Sequence, residues 1–196
     1  MFDVKVILGA TSVVACLAQY IPYIRNVIKG RTRPHIFSWF IWGLPAGIVF
    51  AAQLLNGGGA GSWVTGLTAF LCTVVFLLSL FYGDRDIALL DWISFALALI
   101  AIGLWIITDS PLWSVILVTV SDVLGFVPTV RKSIVKPYEE TLSSYLIGGL
   151  KWVLSMFALG AFSWTVWLYP LAMVAANWAG AVVIIMRRRQ LLAQPS

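Results

Sequence analysis

The sequence predicts an all-α membrane protein with seven transmembrane helices, arranged as two parallel three-helix repeats joined by a linker helix. Three observations carry this prediction: the composition, a series of seven apolar segments, and an internal match at a fixed offset. Of the 196 residues, 61% are hydrophobic and only 11% are charged, whereas soluble domains carry about 25% charged residues. A soluble chain of this size could not bury so much apolar surface, so the composition indicates a bilayer as the surrounding solvent.

The seven apolar segments are each close to the roughly 20 residues that a helix needs to cross a bilayer. They run over Val4–Asn26, Ile36–Leu55, Trp63–Tyr82, Ala88–Thr108, Leu112–Lys132, Leu142–Phe162 and Thr165–Ile185. We predict helices because an open strand leaves its backbone unsatisfied in lipid, and because the alternation typical of a membrane barrel is absent. The connections are short, so no separate soluble domain is expected.

The internal match places Ile21–Leu44 over Val127–Leu150 without a gap, at an offset of 106 positions. Seven of the 24 aligned positions are identical: Pro22/Pro128, Arg25/Arg131, Ile28/Ile134, Ser38/Ser144, Ile41/Ile147, Gly43/Gly149 and Leu44/Leu150. Such a match predicts a duplicated unit. Three crossings invert a unit, so two parallel copies need one intervening helix. The predicted units are residues 1–87, the linker helix 88–110, and residues 111–196.

The basic residues predict the orientation, because Lys and Arg concentrate on the cytoplasmic side of membrane proteins. With seven crossings, eleven of the 13 basic residues share one side: Arg25, Lys29, Arg31, Arg33, Arg85, Arg131, Lys132, Lys136, Arg187, Arg188 and Arg189. Lys5 is alone on the other side, and Lys151 lies within a span. The N-terminus is therefore expected outside and the C-terminus in the cytoplasm. The same distribution accounts for the net charge of +5 without a nucleic-acid partner.

Taken together, these features resemble the PQ-loop superfamily, and most closely its SWEET sugar-transporter branch, whose members have parallel repeats. The resemblance rests on the 3 + 1 + 3 helix plan, the outside N-terminus, and a proline near the cytoplasmic end of the first helix of each repeat, Pro22 and Pro128. The family's glutamine after this proline is Tyr23 here and Thr129 in the second copy. Its third-helix asparagine matches Asn177, but the first repeat has Leu71.

The resemblance implies that the two prolines act as hinges of a cytoplasmic gate, and that a solute binds near the midplane between the bundles. The departures at the glutamine and asparagine positions leave the solute open, sugar-like or otherwise polar. Arg25 and Arg131 are candidate gate residues next to the prolines. They are expected either to pair with acidic neighbours such as Glu139 or, the favoured alternative, to contact lipid headgroups.

Three polar residues lie near the centres of their predicted spans: Asp122, Lys151 and Asn177. A charge at this depth costs at least about 2.5–3.5 kcal/mol on insertion scales, so it persists when it is paired, hydrated or functional. We predict that Asp122 and Lys151 pair with each other. One interpretation places the pair in the transport path, where it breaks when substrate or a proton arrives; the other is a static ion pair in the second bundle.

The weaker candidates are two tryptophans and a glutamine. Trp152 and Trp178 are candidates to hold the solute beside Asn177, but packing is the favoured interpretation, because a large aromatic side chain on an apolar helix usually has that role. Gln19 lies one turn before Pro22 and is expected either to line the path or to satisfy the backbone that the proline frees. Asp91, near the cytoplasmic interface, is expected to be solvated.

The sequence contains no nucleophile and base arrangement, no paired carboxylates at a plausible site and no metal-ligand spacing around Cys16, Cys72 or His35. We therefore expect neither an enzyme nor a cofactor. The predicted function is transport of a small polar solute by alternating access, passive or proton-coupled through Asp122, in a bacterial inner membrane. The alternative is a non-transporting receptor or assembly protein of the same fold. The oligomeric state stays open, a homo-oligomer included.

Overall fold

The computed structural model describes residues 4–55, 62–108, 110–158 and 164–193, which form seven α-helices and one short 3₁₀ helix, without a strand in these ranges. The α-helices are α1 (Val4–Ile28), α2 (Ile36–Leu55), α3 (Ser62–Tyr82), α4 (Leu89–Ile106), α5 (Pro111–Val135), α6 (Leu142–Ala158) and α7 (Trp164–Leu192); the 3₁₀ helix is Pro137–Glu139. The prediction of an all-α fold is confirmed.

Four of the helices, α1, α3, α4 and α7, are long and apolar enough to cross a membrane, as judged by length and composition. Shorter apolar stretches occupy Ile36–Gly47 in α2 and Leu142–Phe157 in α6. Apolar side chains such as Phe81 and Leu89 are 79% and 75% exposed, which a water-soluble protein avoids over large areas. These features agree with a helical membrane protein.

Three helices extend beyond the apolar segments that predicted them. The first reaches Ile28 instead of Asn26, the fifth Val135 instead of Lys132, and the seventh Leu192 instead of Ile185. The last turn of each of these helices carries a basic residue, Arg25, Lys132 or Arg189, which stabilises the C-terminal turn of a helix because it opposes the helix dipole. Hydropathy marks the apolar part of a helix rather than its hydrogen-bonded end. The predicted end of the sixth segment, Phe162, lies outside the described residues.

The helices pack as two triplets in the same order. In the first triplet, α3 packs against both α1 and α2; in the second, α7 packs against both α5 and α6. The triplets meet where α1 packs on α6 and where α2 packs on α5, while α4 packs on α5 and α2. Corresponding helices of the two triplets thus have corresponding packing partners.

One end of the molecule, called here the charged end, holds the connections that follow α1, α3 and α5. Backbone hydrogen bonds join them: Arg33 donates to the carbonyl of Glu139 and Asp84 to the carbonyl of Pro34, both at 3.1 Å. Gly83 sits where the end of α3 meets the turn before α2. A Cβ at this position would overlap the Ser79 carbonyl oxygen and lie 3.0 Å from the carbonyl oxygen of Pro34.

We expect Gly83→Ala to destabilise the protein by about 1–3 kcal/mol, the usual cost of overpacking, because backbone atoms cannot move aside as a flexible side chain can. The matched control is Gly103→Ala in α4, where an added Cβ meets no atom within 4 Å and Ala is the better helix former. Thermal unfolding of the detergent-purified variants measures both. Equal melting temperatures for the two variants would contradict this account of the charged end.

Candidate functional site: a polar cavity between the helix triplets

A cavity of about 60 Å³ lies between the two triplets. Six of the seven helices line it, and only α4 contributes no residue. One water molecule needs about 10–15 Å³ of such a cavity volume, so the cavity has room for several waters or a small solute. Its wall combines aromatic rings with charged and amide side chains, which is the usual make-up of a small-molecule site.

Lys151 of α6 extends into this cavity and is only 2% exposed. Its Nζ lies 3.5 Å from the hydroxyl of Thr68, 4.9 Å from the ring centre of Trp152 and 5.6 Å from that of Tyr20. Aromatic faces attract an ammonium group, but they do not neutralise it. Within the described residues, no carboxylate lies within 4.0 Å of this nitrogen.

Asp122 of α5 also lines the cavity and is 3% exposed. Its Oδ2 accepts a hydrogen bond of 2.6 Å from the hydroxyl of Tyr169 in α7. The other oxygen, Oδ1, is buried and has no hydrogen-bond donor among the described residues. The backbone carbonyl of Asp122 accepts from Nε1 of Trp42 at 3.1 Å, which joins the two triplets at this level.

The predicted ion pair between Asp122 and Lys151 is wrong as a direct contact. Both side chains line one cavity, as expected from their depth, yet each is held by a neutral hydroxyl group, Asp122 by Tyr169 and Lys151 by Thr68. The physical reason is the direction in which each side chain points around the axis of its helix. Equal depth brings two side chains to one level, but only the packing of the helices decides whether they point at each other or at a shared space.

Asn177 and Gln19 lie together beside a glycine of α6. A Cβ on Gly148 would overlap Oδ1 of Asn177 and lie 2.8 Å from Nε2 of Gln19. Nδ2 of Asn177 donates to the Met173 carbonyl at 2.8 Å, and Oε1 of Gln19 is buried without a hydrogen-bond donor within the described ranges. Both residues line the cavity, so the interpretation of Gln19 as a lining residue is favoured.

The two candidate tryptophans differ in position. Trp152 lines the cavity and stacks edge-on against Tyr169, with ring centres 5.2 Å apart. Trp178 does not line it: its side chain packs over Gly149, its Nε1 donates to the Leu146 carbonyl at 3.3 Å, and it is 43% exposed. Trp178 therefore has the packing role that the sequence favoured rather than that of a solute contact, because one residue beyond Asn177 the helix turns its side chain to the outer surface.

Between the cavity and the charged end lies a layer of buried aromatic residues, Tyr23, Trp39 and Tyr145. Nε1 of Trp39 donates to the Tyr23 hydroxyl at 3.2 Å, and the Tyr145 hydroxyl donates to Oε2 of Glu140 at 3.0 Å. Glu140 in turn forms a buried ion pair with Lys132. The cavity is thus separated from the charged end first by aromatic rings and then by paired charges.

Asp91 of α4 is fully buried at the charged end, so the expectation that it is solvated is wrong. Its Oδ2 lies 2.7 Å from Nη2 of Arg131, its Oδ1 accepts from Nε of Arg131 at 3.0 Å, and its Oδ2 also accepts from the Ala88 backbone N–H at 2.8 Å. Arg131 therefore pairs with an acidic neighbour, as one of the two alternatives expected, but that neighbour is Asp91 rather than Glu139. Sequence could not show this, because the two residues lie on different helices 40 positions apart.

The remaining gate candidates are Arg25, Pro22 and Pro128. The Arg25 side chain is exposed, whereas its repeat counterpart Arg131 is largely covered. Pro22 lies within α1 and Pro128 within α5, and neither helix is interrupted. Their placement near the charged end of equivalent helices agrees with the sequence alignment. Their role as hinges is a matter of motion and stays a prediction.

Several residues that line the cavity are not among the candidates that the sequence indicates. They are aromatic or hydroxyl residues on the cavity wall: Tyr20, Trp42, Thr68 and Tyr169. Thr68 and Tyr169 are hydrogen-bond partners of the two buried charges. A usable signal was present, since tyrosine and threonine at mid-span need hydrogen-bond partners in lipid. Nothing in the sequence showed which of the many such residues face inward.

Comparison of the chain with protein-family models, with curated proteins and with solved structures gives no match.

Replacing Asp91 by Asn is expected to destabilise the protein by about 3 kcal/mol, because it removes one partner of a buried ion pair and leaves the Arg131 charge uncompensated. The matched control is Arg33→Gln, which breaks the pair of Arg33 with Glu139, where the atoms are 3.9 Å apart and the side chains are 55% and 29% exposed. Such a pair contributes about 0–1 kcal/mol. Thermal unfolding of both variants tests this; a larger loss for Arg33→Gln contradicts the assignment.

Acidification is expected to destabilise the protein through His35, which is fully buried with Nε2 3.4 Å from Oδ2 of Asp91. Burial lowers the pKa of His35 from its usual 6.5, although Asp91 opposes the shift. The folded state therefore holds this histidine neutral, and its stabilising contribution is complete above pH 6.5 and is lost as the pH falls from 6.5 toward the folded pKa. The slope is at most about 1.4 kcal/mol per pH unit.

The measurement compares melting temperatures at pH 7.5 and pH 5.5 for the natural protein and His35→Gln. The variant keeps a polar side chain but removes the titrating group, so its melting temperature is expected to depend less on pH over this range. A variant that loses as much stability on acidification as the natural protein would show that another group is responsible.

Proposed function

We propose that the protein is a multi-pass membrane transporter that moves a small polar solute by alternating access between two three-helix bundles. The observation that carries the proposal is the cavity between the triplets, which holds two buried charged side chains without ionic partners in the described part of the chain. Charges left in this state in a membrane protein mark substrate or ion pathways. A purely structural bundle interface would be expected to pair or omit them.

The packing order supports the proposal of two related bundles. The third helix lies between the first two in each triplet. The matched serines of the internal repeat each make one hydrogen bond across the interface: Ser38 accepts from the Thr129 hydroxyl, and Ser144 donates to the Gln19 carbonyl, both at 2.9 Å. In this proposal all seven helices cross the bilayer, α4 is the linker, and the resemblance to the PQ-loop superfamily is one of fold.

The proposed orientation places the charged end in the cytoplasm, and the N-terminus outside. The cavity is then closed toward the cytoplasm by the aromatic layer and by polar contacts between the triplets. These contacts include Thr32 with Thr141 at 2.6 Å, Asn26 with Thr141 at 3.1 Å, and Lys136 with Asp84 at 3.1 Å. Opening toward the cytoplasm requires these bonds to be exchanged for water, with Pro22 and Pro128 as the proposed hinges.

Alternating access predicts that Cys72, which lines the cavity and is 1% exposed, becomes accessible from both sides of the membrane. The experiment labels reconstituted Cys16→Ala protein, whose remaining thiol is Cys72, with a small membrane-impermeant methanethiosulfonate added on one side at a time. We expect slow labelling from each side. Because the cavity is closed toward the charged end, labelling from that side reports opening of the proposed gate.

The control is Cys16→Ala/Cys72→Ala, which has no cysteine and shows background labelling. Labelling of Cys72 from one side only, or from neither, would overturn the transport proposal and favour the alternative of a non-transporting receptor or assembly protein. Repeating the measurement with Thr32→Val, which removes the bond between Thr32 and Thr141, is expected to speed labelling from the charged end and leave the other side unchanged.

A further inference from the structure

The two buried charges of the cavity need complementary charges that the described residues do not supply. Lys151 has a hydroxyl group and two aromatic faces around its ammonium group. Hydroxyls and rings orient an ammonium group but leave its charge uncompensated, so this position favours an anionic group of the bound solute. A carboxylate is the simplest group of that kind.

The carboxylate of Asp122 favours a positively charged group of the bound solute. Its Oδ2 is taken by the Tyr169 hydroxyl, while Oδ1 is buried and has no donor among the described residues. No Lys, Arg or His nitrogen lies within 4.0 Å of it in the described ranges. An ammonium group of a solute would give this oxygen a hydrogen bond and the carboxylate its counter-charge.

We infer that the substrate class of the cavity is a small zwitterion, a solute that carries a carboxylate for Lys151 and an ammonium group for Asp122. This inference rests on the proposed function and names the solute that the site takes. A neutral polyol would leave both charges without counter-charges. A simple anion or a simple amine would satisfy one and leave the other.

The size and walls of the cavity agree with a small member of this class. A volume of about 60 Å³ corresponds to roughly four to six water molecules, comparable with the six non-hydrogen atoms of alanine. Trp152 and Tyr20 flank Lys151, and Phe126 and Met173 provide apolar wall, which suits a short apolar side chain. The amides of Gln19 and Asn177 remain for further hydrogen bonds.

The experiment measures binding to the purified, full-length protein at pH 7.4 by calorimetry and thermal shift. The four probes are L-alanine, propionate, ethylamine and glycerol; propionate and ethylamine each lack one charged group of L-alanine, and glycerol carries no charge. We expect L-alanine to bind at least tenfold more tightly than each of the others. Equal or tighter binding of glycerol, or of either singly charged probe, would overturn the inference.

Variants assign each charge to its partner through a change of preference rather than a loss of binding alone. In Lys151→Met, the preference for L-alanine over ethylamine is expected to disappear, because the carboxylate no longer has a partner. In Asp122→Asn, the preference for L-alanine over propionate is expected to disappear. Lys29→Met, the same change at an exposed lysine, is expected to keep both preferences, and unchanged preferences in the cavity variants contradict the assignment.

The outcome separates this inference from the transport proposal. Cys72 labelling from both sides without L-alanine binding would keep alternating access and reject the zwitterion. L-Alanine binding without labelling from both sides would keep the solute class and reject transport. If a cavity variant fails to fold, the four-probe series on the natural protein still decides the solute class.

Discussion

The cost of removing charged groups from water is the constraint on which this structure depends. At the charged end the cost is offset locally, because buried charges face opposite charges: Asp91 faces Arg131, and Lys132 faces Glu140. Buried ion pairs of this kind contribute less to net stability than their number suggests, but breaking one is expensive. They therefore fix how the connections after α1, α3 and α5 meet, and hold that end of the molecule shut.

In the cavity, by contrast, buried charged groups do not face opposite charges among the described residues. Asp122 and Lys151 are as deeply buried as the charges at the closed end, yet each contacts a neutral hydroxyl instead of an ion. A bundle designed only for stability would pair these two groups with each other. In the proposed function, holding them apart across a shared space leaves room for a solute that supplies both counter-charges and so offsets the cost.

The interface between the triplets contains hydrogen bonds and close contacts at small residues, which suits the separation that the proposed transport cycle requires. In lipid, no hydrophobic force drives one helix onto another, so close packing at small residues and interhelical hydrogen bonds hold helices together. Gly148 lets Asn177 and Gln19 approach the backbone of α6, and Ser38 and Ser144 make one bond each across the interface. Water can replace such bonds at little cost, whereas exposing an apolar core would be costly.

The amino-acid sequence by itself determined the helices, their apolar faces and the depth of the chemically important residues, because hydropathy and repeat spacing are properties of consecutive positions. Asp122, Lys151, Asn177 and Gln19 were recognisable in this way. Only the tertiary structure decided which residues face each other. It joined Asp122 to Tyr169 instead of Lys151, turned Trp178 outward, and buried Asp91 beside Arg131. These contacts depend on the rotation of each helix about its axis and on its neighbours, and they join positions that lie 32 to 47 residues apart.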